Sequence, residues 1–314
     1  MDRRRIQLIA GSTYSVSLPK AWVVKRGLRR GSEVQFHERG DGTLVLSPQP
    51  LVGSAMKEAS LDVDEHGTSI DHVLFALYYL GVEDIHLSSP KGLAKDVKLR
   101  IRRALAHMSG TEITYEDQQR MTIRVLLDRS KVDVRQLLYR MGLIIELTIA
   151  ELSEATDSEE VAMNENEIDR LYHLMTKTIS LSLVSSDVLL SSGIGHSILV
   201  PSYLLISKKL ENIADRLGVL GERFRGRPAL GCREPLLFVR TELGRSVRHI
   251  THSFKGPFRE SDSAAIRAAR AQIRRVKDVQ VADCLEDMVR FLLDIQQEII
   301  SLSFYTSLIA QGKL

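Results

Sequence analysis

The fold of the N-terminal part is decided by the stretch RRRIQLIAGSTYSVSLPKAWVVKRGLRRGSEVQFHERGDGTLVLSP, residues 3–48. Apolar residues alternate with polar ones at 6–8, 16–18 and 34–36, and the apolar Leu44 and Leu46 follow across a turn. Such alternation is typical of β-strands, and the glycine-containing turn between the last two segments is typical of a hairpin. The stretch therefore predicts a small β unit.

A short helix is predicted between the two pairs of strands. Pro19 is suited to the start of a helix over 20–26, and Gly27 to a left-handed residue that ends it. A unit of this size cannot bury the apolar faces of its strands alone. We therefore expect it to dimerise.

Positive charge is concentrated in the same unit. Residues 1–50 hold nine Lys and Arg against four Asp and Glu, whereas the whole chain has a net charge of only +3. Cations clustered on a rigid element bind the phosphate backbone of DNA, and paired β-strands can enter a groove of the duplex. A solvated basic face is the alternative explanation.

The stretch also resembles the AbrB/SpoVT/MazE swapped-hairpin family. The resemblance lies in SVSLPK at 15–20 with Trp22, in Gly27-Leu28, in GSEV at 31–34 and in the terminal hairpin. It implies a swapped-hairpin β-barrel, formed by an intertwined homodimer that binds double-stranded DNA. Together with the basic cluster, it places the candidate DNA contacts at Arg3, Arg4, Arg5, Ser12, Tyr14, Lys20, Lys25 and Arg26.

The middle of the chain, 51–130, is predicted to be a small α/β domain. Strand-like and helix-like patterns alternate there in the order βαβαββ. The strands are expected near 59–63, 84–87, 112–115 and 121–127, and the helices near 70–80 and 96–108.

The remainder, 131–314, is predicted to be all helical, because its apolar residues recur every three or four positions. Glycine, proline and serine breaks divide it into six helices, and these fall into two sets of three that look like a degenerate duplication. The predicted helices are 134–154, 160–186, 199–225, 235–255, 262–278 and 281–309.

Pairs of acids four positions apart recur on these helices, and each pair presents two carboxylates on one helix face. Carboxylates that converge between neighbouring helices can hold magnesium, manganese, iron or zinc. A solvated acidic face is the alternative. The candidate metal ligands are Glu165, Asp169, Glu211, Asp215, Asp294 and Glu298.

Two helical segments resemble PhoU proteins. SKKLENIADRLGVLGERF, 207–224, is similar to the third helix of a PhoU repeat, in which an acid pair faces a metal cluster, and NENEIDRL, 164–171, is similar to the preceding helix. The resemblance implies a pair of three-helix bundles with a divalent or iron metal cluster. In the second set, SAAIRAARAQIRRVKDV, 263–279, carries arginines where acids are expected, so the resemblance does not imply a second complete cluster.

Composition and motifs exclude several other classes. Hydrophobic residues at 44% and charged residues at 26% are typical of globular proteins. No signal peptide or membrane-spanning stretch is found, which predicts a cytoplasmic protein without membrane insertion. The two cysteines lack metal-binding spacing, and the glycines at 218–221 miss the phosphate-loop templates. Because no nucleophile and base are paired, the chain is not expected to be an enzyme.

The patterns together predict a multidomain α+β protein with domains at 1–50, 51–130 and 131–314. The fusion resembles archaeal PhoU-related regulators, which implies a DNA-binding transcriptional regulator of phosphate uptake and metabolism whose helical domain senses a metal or an effector. Two alternatives remain open. One is an adaptor that contacts a phosphate transporter or its sensor kinase, and the other is a metal-dependent hydrolase that uses the carboxylate helices.

Overall fold

The architecture is mixed α+β, with short β-hairpins first, a small α/β part next and helices last. The chain divides into two compact units, Met1–Ser54 and Ala55–Leu314. The predicted further division at 130 stays a prediction. The computed structural model describes residues 3–9, 11–38, 43–48, 57–128, 131–154, 158–226, 229–251 and 257–312.

The first unit consists of two antiparallel hairpins and one short helix. Strand β1 (Gln7–Ile9) pairs with β2 (Thr13–Ser15), helix α1 (Lys20–Lys25) follows, and β3 (Gln35–Glu38) pairs with β4 (Leu44–Ser47). The predicted turn between β3 and β4 lies outside the described residues. Among the residues that are described, the two hairpins form separate sheets. A closed barrel, which the resemblance implies, is therefore not formed by these strands of one chain.

The first unit has no buried residue in its described part, 3–9, 11–38 and 43–48. Large apolar side chains are exposed to solvent on both hairpins and on the helix. Tyr14 is 73% exposed and Phe36 is 60% exposed. A protein core requires apolar side chains that are removed from water. One chain on its own does not provide such a core here.

The α/β part has the predicted order of elements. Its four-stranded sheet has the order β5-β6-β8-β7; β5 and β6 are parallel, and the other neighbours are antiparallel. The elements are β5 (Glu58–Asp62), α2 (Ile70–Leu80), β6 (Asp84–Ser88), α3 (Lys95–Ala106), β7 (Thr111–Glu116) and β8 (Arg120–Val125).

One face of this sheet carries the core of the α/β part. The alternate residues Ile85 and Leu87 on β6, and Met121 and Ile123 on β8, are buried with apolar side chains of α2 and α3. Polar residues occupy the intervening positions, as expected for a sheet that is covered on one side only. The sheet thus fixes the position of α2 and α3 beneath it.

Seven helices are described in the last part of the chain, and none of the described helices is long and apolar enough to cross a membrane. They are α4 (Val134–Glu154), α5 (Ser158–Ser182), α6 (Ser186–Ser191), α7 (Val200–Arg223), α8 (Arg233–Thr251), α9 (Ser263–Ile273) and α10 (Val279–Ala310).

The prediction of one helix over 160–186 is wrong at its C-terminal end. Helix α5 stops at Ser182, and a separate short helix, α6, begins at Ser186. The reason is Ser185, whose backbone is extended and whose side chain accepts a hydrogen bond from the Val188 amide. Such a residue caps a new helix instead of continuing the old one.

The helix predicted over 262–278 is also too long. Helix α9 ends at Ile273, because Asp278 has left the helical conformation to cap α10 through the Val281 amide. The middle helix of the second set therefore has 11 residues, whereas α5, its counterpart in the first set, has 25.

All the long helices share one apolar core. Helix α7 packs between α5 and α10, and α4 packs along α8, so buried side chains of both predicted sets belong to a single cluster. The predicted pair of three-helix bundles is therefore not seen as two bundles with separate cores. The arrangement places the polar edge of α5 beside that of α7, where the candidate metal ligands lie.

Candidate DNA-binding and cation-binding sites

The first group of candidate DNA-binding residues lies on and before the β1–β2 hairpin. Arg3, Arg4 and Arg5 precede β1, Ser12 lies in the turn, and Tyr14 is paired with Leu8 across the hairpin. All five candidate side chains are exposed. A strand pair that carries cations at one end and hydrogen-bonding groups at its turn has the chemistry to contact a DNA backbone.

The remaining candidate DNA-binding residues lie on α1 and directly after it. Lys20 begins this helix, Lys25 ends it and Arg26 follows, and all three are exposed. Lys20 and Lys25 are five positions apart, which separates them by about 140° around the helix axis. Helix α1 thus does not bring the two lysines to one face.

Three of the candidate metal ligands converge between α5 and α7. Asp169 on α5 and Glu211 and Asp215 on α7 each offer one oxygen, and these oxygens lie within 4.8 Å of one another. Asp169 and Glu211 are largely shielded from solvent, with side chains 30% and 13% exposed. Oxygen atoms at this spacing are able to coordinate one divalent cation after small side-chain rotations.

Glu165, one turn before Asp169, points its carboxyl group at Gly218 on α7. A methyl group at Gly218 would lie about 2.7 Å from the carboxyl carbon of Glu165, so the glycine makes the space in which this side chain sits. Sequence reasoning examined Gly218 only as part of a phosphate loop and missed this role. A helical glycine that faces an acidic neighbour is the signal that could have identified it.

The electrostatics of this carboxylate cluster, Glu165, Asp169, Glu211 and Asp215, favour a bound cation. Burial, together with the charges of Asp215 and Asp169, raises the pKa of Glu165 to about 7. Burial and the charge of Asp215 raise the pKa of Asp169 to about 6. Burial also raises the pKa values of the other two acids. Like charges held together out of water are stabilised by protons or by a metal ion.

Lys208 neutralises part of this charge. Its ammonium group donates to both carboxylate oxygens of Glu211, at 2.6 and 2.5 Å, and lies 5.0 Å from the centre of the Tyr172 ring. The Lys208 side chain is 45% exposed, so it is free to move away from Glu211. In the structure the cluster therefore holds an internal cation at one of its four acids.

An imidazole from the α/β part adjoins the cluster on another side. His107 directly follows α3, and its Nδ1 atom lies 4.0 Å from Oδ2 of Asp169. A second imidazole, His173 on α5, is stacked on Phe75 with ring centres 3.9 Å apart and shares a hydrogen bond with the Tyr79 hydroxyl. No sequence spacing connects His107 with the acids, so sequence reasoning missed it.

Solvent reaches the cluster through an open cleft of about 570 Å³. Glu165 and Asp215 line this cleft, together with Gly218, Glu222 and Arg223 of α7. A cation has a route to the carboxylates that does not require the helices to separate.

Asp294 and Glu298, the remaining candidate ligands, do not join a cluster of three ligands in the part of the chain that is described. Oδ2 of Asp294 instead accepts a hydrogen bond from Nζ of Lys209 at 2.6 Å. The short helix α9 adds arginines and no acid on this side, and Arg270 pairs with Glu286.

Comparison with known families supports the reading of the first unit. Residues 7–52 match the family model described as "Antidote-toxin recognition MazE, bacterial antitoxin". The predicted MazE/AbrB-like character of the N-terminal unit is confirmed. The matched residues end at 52, so the PhoU resemblance of the helical part stays a prediction. Neither the curated proteins nor the solved structures give a match to this chain.

Proposed function

We propose that the chain is a DNA-binding transcriptional regulator whose helical part senses a divalent cation. The observation that carries this proposal is the family match of residues 7–52 on a unit that is basic and built of exposed hairpins. Arginines before β1 supply contacts to phosphate groups, and Ser12 and Tyr14 supply hydrogen bonds at the same hairpin.

The regulator acts as a homodimer in this proposal. The apolar side chains of both hairpins are exposed in one chain, and a second copy is the partner that buries them in a common core. A two-fold dimer presents two basic hairpins to two DNA half-sites, which is the usual arrangement for dimeric regulators. Barrel closure then belongs to the dimer and not to the single chain.

The sensing part of the proposal rests on the carboxylate cluster. Three acids, one on α5 and two on α7, converge in a way that suits a divalent cation, and the carboxyl group of Glu165 lies nearby against Gly218. No nucleophile and base are paired next to it, so binding is the function that its residues support. A bound cation stabilises the packing of α5 against α7 and so has a means to influence the rest of the chain.

The regulation of phosphate uptake and metabolism is the more specific part of the proposal. Its support is the resemblance of segments 164–171 and 207–224 to PhoU helices, because the acids of these two segments are the ones that converge. The description of the family that residues 7–52 match names toxin recognition. We do not extend toxin recognition to this chain, because a large folded unit with its own cores follows the match.

The test is DNA binding by the full chain to promoter regions of phosphate-transport genes, measured across a series of salt concentrations. Arg3→Ala/Arg5→Ala should weaken binding and reduce the slope of log K against log salt by roughly two units, since two phosphate contacts are lost. The control is Arg267→Ala/Arg274→Ala, which removes the same charge from two exposed positions, one on α9 and one directly after it.

Equal losses in the two double variants would mean that only the net charge matters, and the proposed interface would be wrong. Binding that is absent, or indifferent to salt, would favour the adaptor that contacts a phosphate transporter or its sensor kinase. Binding that is specific and lost only in the N-terminal variant would establish the regulator.

A further inference from the structure

The side of the carboxylate cluster that faces the α/β part carries an imidazole nitrogen without a partner. His107 Nδ1 is buried and has no hydrogen-bond partner, and the nearest charged atom is Oδ2 of Asp169 at 4.0 Å. A buried polar atom that makes no hydrogen bond destabilises the folded protein. Such an atom next to Asp169, one of the three converging acids, has the chemistry of a further ligand.

Among the described residues around the cluster, His107 is the imidazole that is available as a metal ligand. The ring of His173 is held by the stack on Phe75, and its Nδ1 is engaged with the Tyr79 hydroxyl. The His107 ring meets that of His173 edge-on, with ring centres 6.1 Å apart, which leaves Nδ1 of His107 on the side of Asp169.

We propose that His107 supplies a nitrogen ligand to the cation site formed by Asp169, Glu211 and Asp215. This inference rests on the cation site of the proposed function and adds a nitrogen ligand to its carboxylate oxygens. Metal–ligand distances of about 2.0–2.2 Å place neighbouring ligand atoms roughly 3 Å apart. Because Nδ1 of His107 lies 4.0 Å from Asp169, the His107 ring must turn towards the acids when the cation binds.

The nitrogen ligand determines which cations the site prefers. An all-oxygen set suits magnesium and calcium, whereas imidazole together with carboxylates suits manganese, iron or zinc. The site is therefore selective for a transition-metal ion of this group.

The same ligand connects two parts of the second unit that have separate cores. His107 directly follows α3 of the α/β part, whereas the three acids lie on α5 and α7 of the helical part. A cation bound by all four residues fastens the end of α3 to α5. The α/β part then reports whether the cation is present.

The experiment uses the full chain with Mn²⁺ as the probe. Pulsed electron paramagnetic resonance detects coupling between bound Mn²⁺ and a directly coordinated nitrogen. The wild type should show a nitrogen-14 coupling, and His107→Gln should lose it. Since changes even to the partner of a ligand cost about 10–100-fold in metal affinity, the affinity of this variant for Mn²⁺ should fall at least about tenfold. Its affinity for Mg²⁺ should change much less.

His72→Gln is the matched control, because His72 lies on the surface of α2 with its side chain 84% exposed. This variant should keep both the coupling and the affinity. If the wild type binds Mn²⁺ without nitrogen coupling, the role of His107 is wrong and the carboxylate site stands. If the wild type does not bind Mn²⁺, both are wrong. DNA binding by residues 1–50 is measured separately and is independent of either result.

Discussion

At the scale of single residues, Gly218 determines whether Glu165 can enter the carboxylate cluster. Its missing side chain leaves the space that the Glu165 carboxyl group fills. Gly221, the next glycine on the same helix, instead faces the branched side chain of Val161, where an added methyl group would lie 2.7 Å from a Val161 methyl carbon. The two glycines thus look alike in the sequence but serve different neighbours.

Gly218→Ala should keep the fold and weaken cation binding. The new methyl group displaces a flexible carboxyl group, while alanine in place of glycine favours the helix by about 1 kcal/mol. The expected result is a lower Mn²⁺ affinity by isothermal titration calorimetry, with the melting temperature of the cation-free protein unchanged or raised. Gly221→Ala should instead lower the melting temperature, because Val161 is buried and cannot move aside. Unaltered Mn²⁺ affinity in Gly218→Ala would exclude Glu165 from the site.

Lys208 is expected to compete with a bound cation, because its ammonium group holds the Glu211 carboxylate that the cation needs. Lys208→Gln should therefore bind Mn²⁺ several-fold more tightly than the wild type, as removal of a nearby like charge favours a cation. Lys209→Gln is the control, since Lys209 pairs with Asp294 outside the cluster. If the two variants change Mn²⁺ affinity equally, only the net charge of the protein matters.

At the scale of elements, the sequence predicts which acids lie on α5 and α7 better than it predicts where helices begin and end. Acids at 165, 169, 211 and 215 must lie in pairs on helix faces, and the structure brings the two faces together as expected. Asp294 and Glu298 have the same spacing, but among the described residues no third acid joins them, and the short helix α9 carries arginines and no acid. Helix ends depend on single capping residues such as Ser185, and periodicity does not detect these.

The packing of α5 against α7 should depend on pH when no cation is bound. The pKa of Glu165 is about 7 in the folded protein, above its usual value of 4.5. At pH values between these two, the folded state therefore keeps a proton that the unfolded state has lost. The free energy of unfolding therefore decreases as the pH rises from about 4.5 to about 7. His173 acts in the opposite direction, because its lowered pKa of about 4 favours the folded state as the pH rises from 4 to 6.5.

The contribution of Glu165 is isolated by comparing the wild type with Glu165→Gln in the presence of a chelator. Between pH 5 and 8, the melting temperature of the variant should decline less with rising pH than that of the wild type. The effect of His173 is common to both proteins and cancels in the difference. Identical pH profiles would show that the surroundings of Glu165 do not raise its pKa in the folded protein.

At the scale of the whole molecule, we expect the first unit to pair with a second copy, because its apolar side chains are exposed in one chain. Phe36→Asp places a charge on this apolar surface and should convert the dimer into a monomer, while the second unit stays folded. Light scattering measures the change in molecular mass. Leu147→Asp on α4 is the control; Leu147 is 57% exposed but belongs to the second unit. A dimer that persists in Phe36→Asp would contradict the shared core.

The sequence resemblance predicts the hairpins of the first unit, but a single sequence does not show how two chains combine. The β-barrel is expected from the pairing of chains, and the two hairpins of one chain do not close it in the described residues. The contact of His107 with the helical part was also unpredictable. It depends on how α2 packs on α5 and how α3 packs on α2, which no local pattern in the sequence specifies.

The central claim, that the helical part controls DNA binding through its cation site, is tested most directly by one measurement. The DNA affinity of the full chain is determined at fixed salt with a chelator and with saturating Mn²⁺, for the wild type and for Asp169→Asn. We expect Mn²⁺ to change the wild-type affinity by at least about fivefold, and DNA to change the Mn²⁺ affinity by the same factor, as linkage requires. The variant should show no change. Equal DNA affinity of the wild type with and without Mn²⁺ would contradict the account.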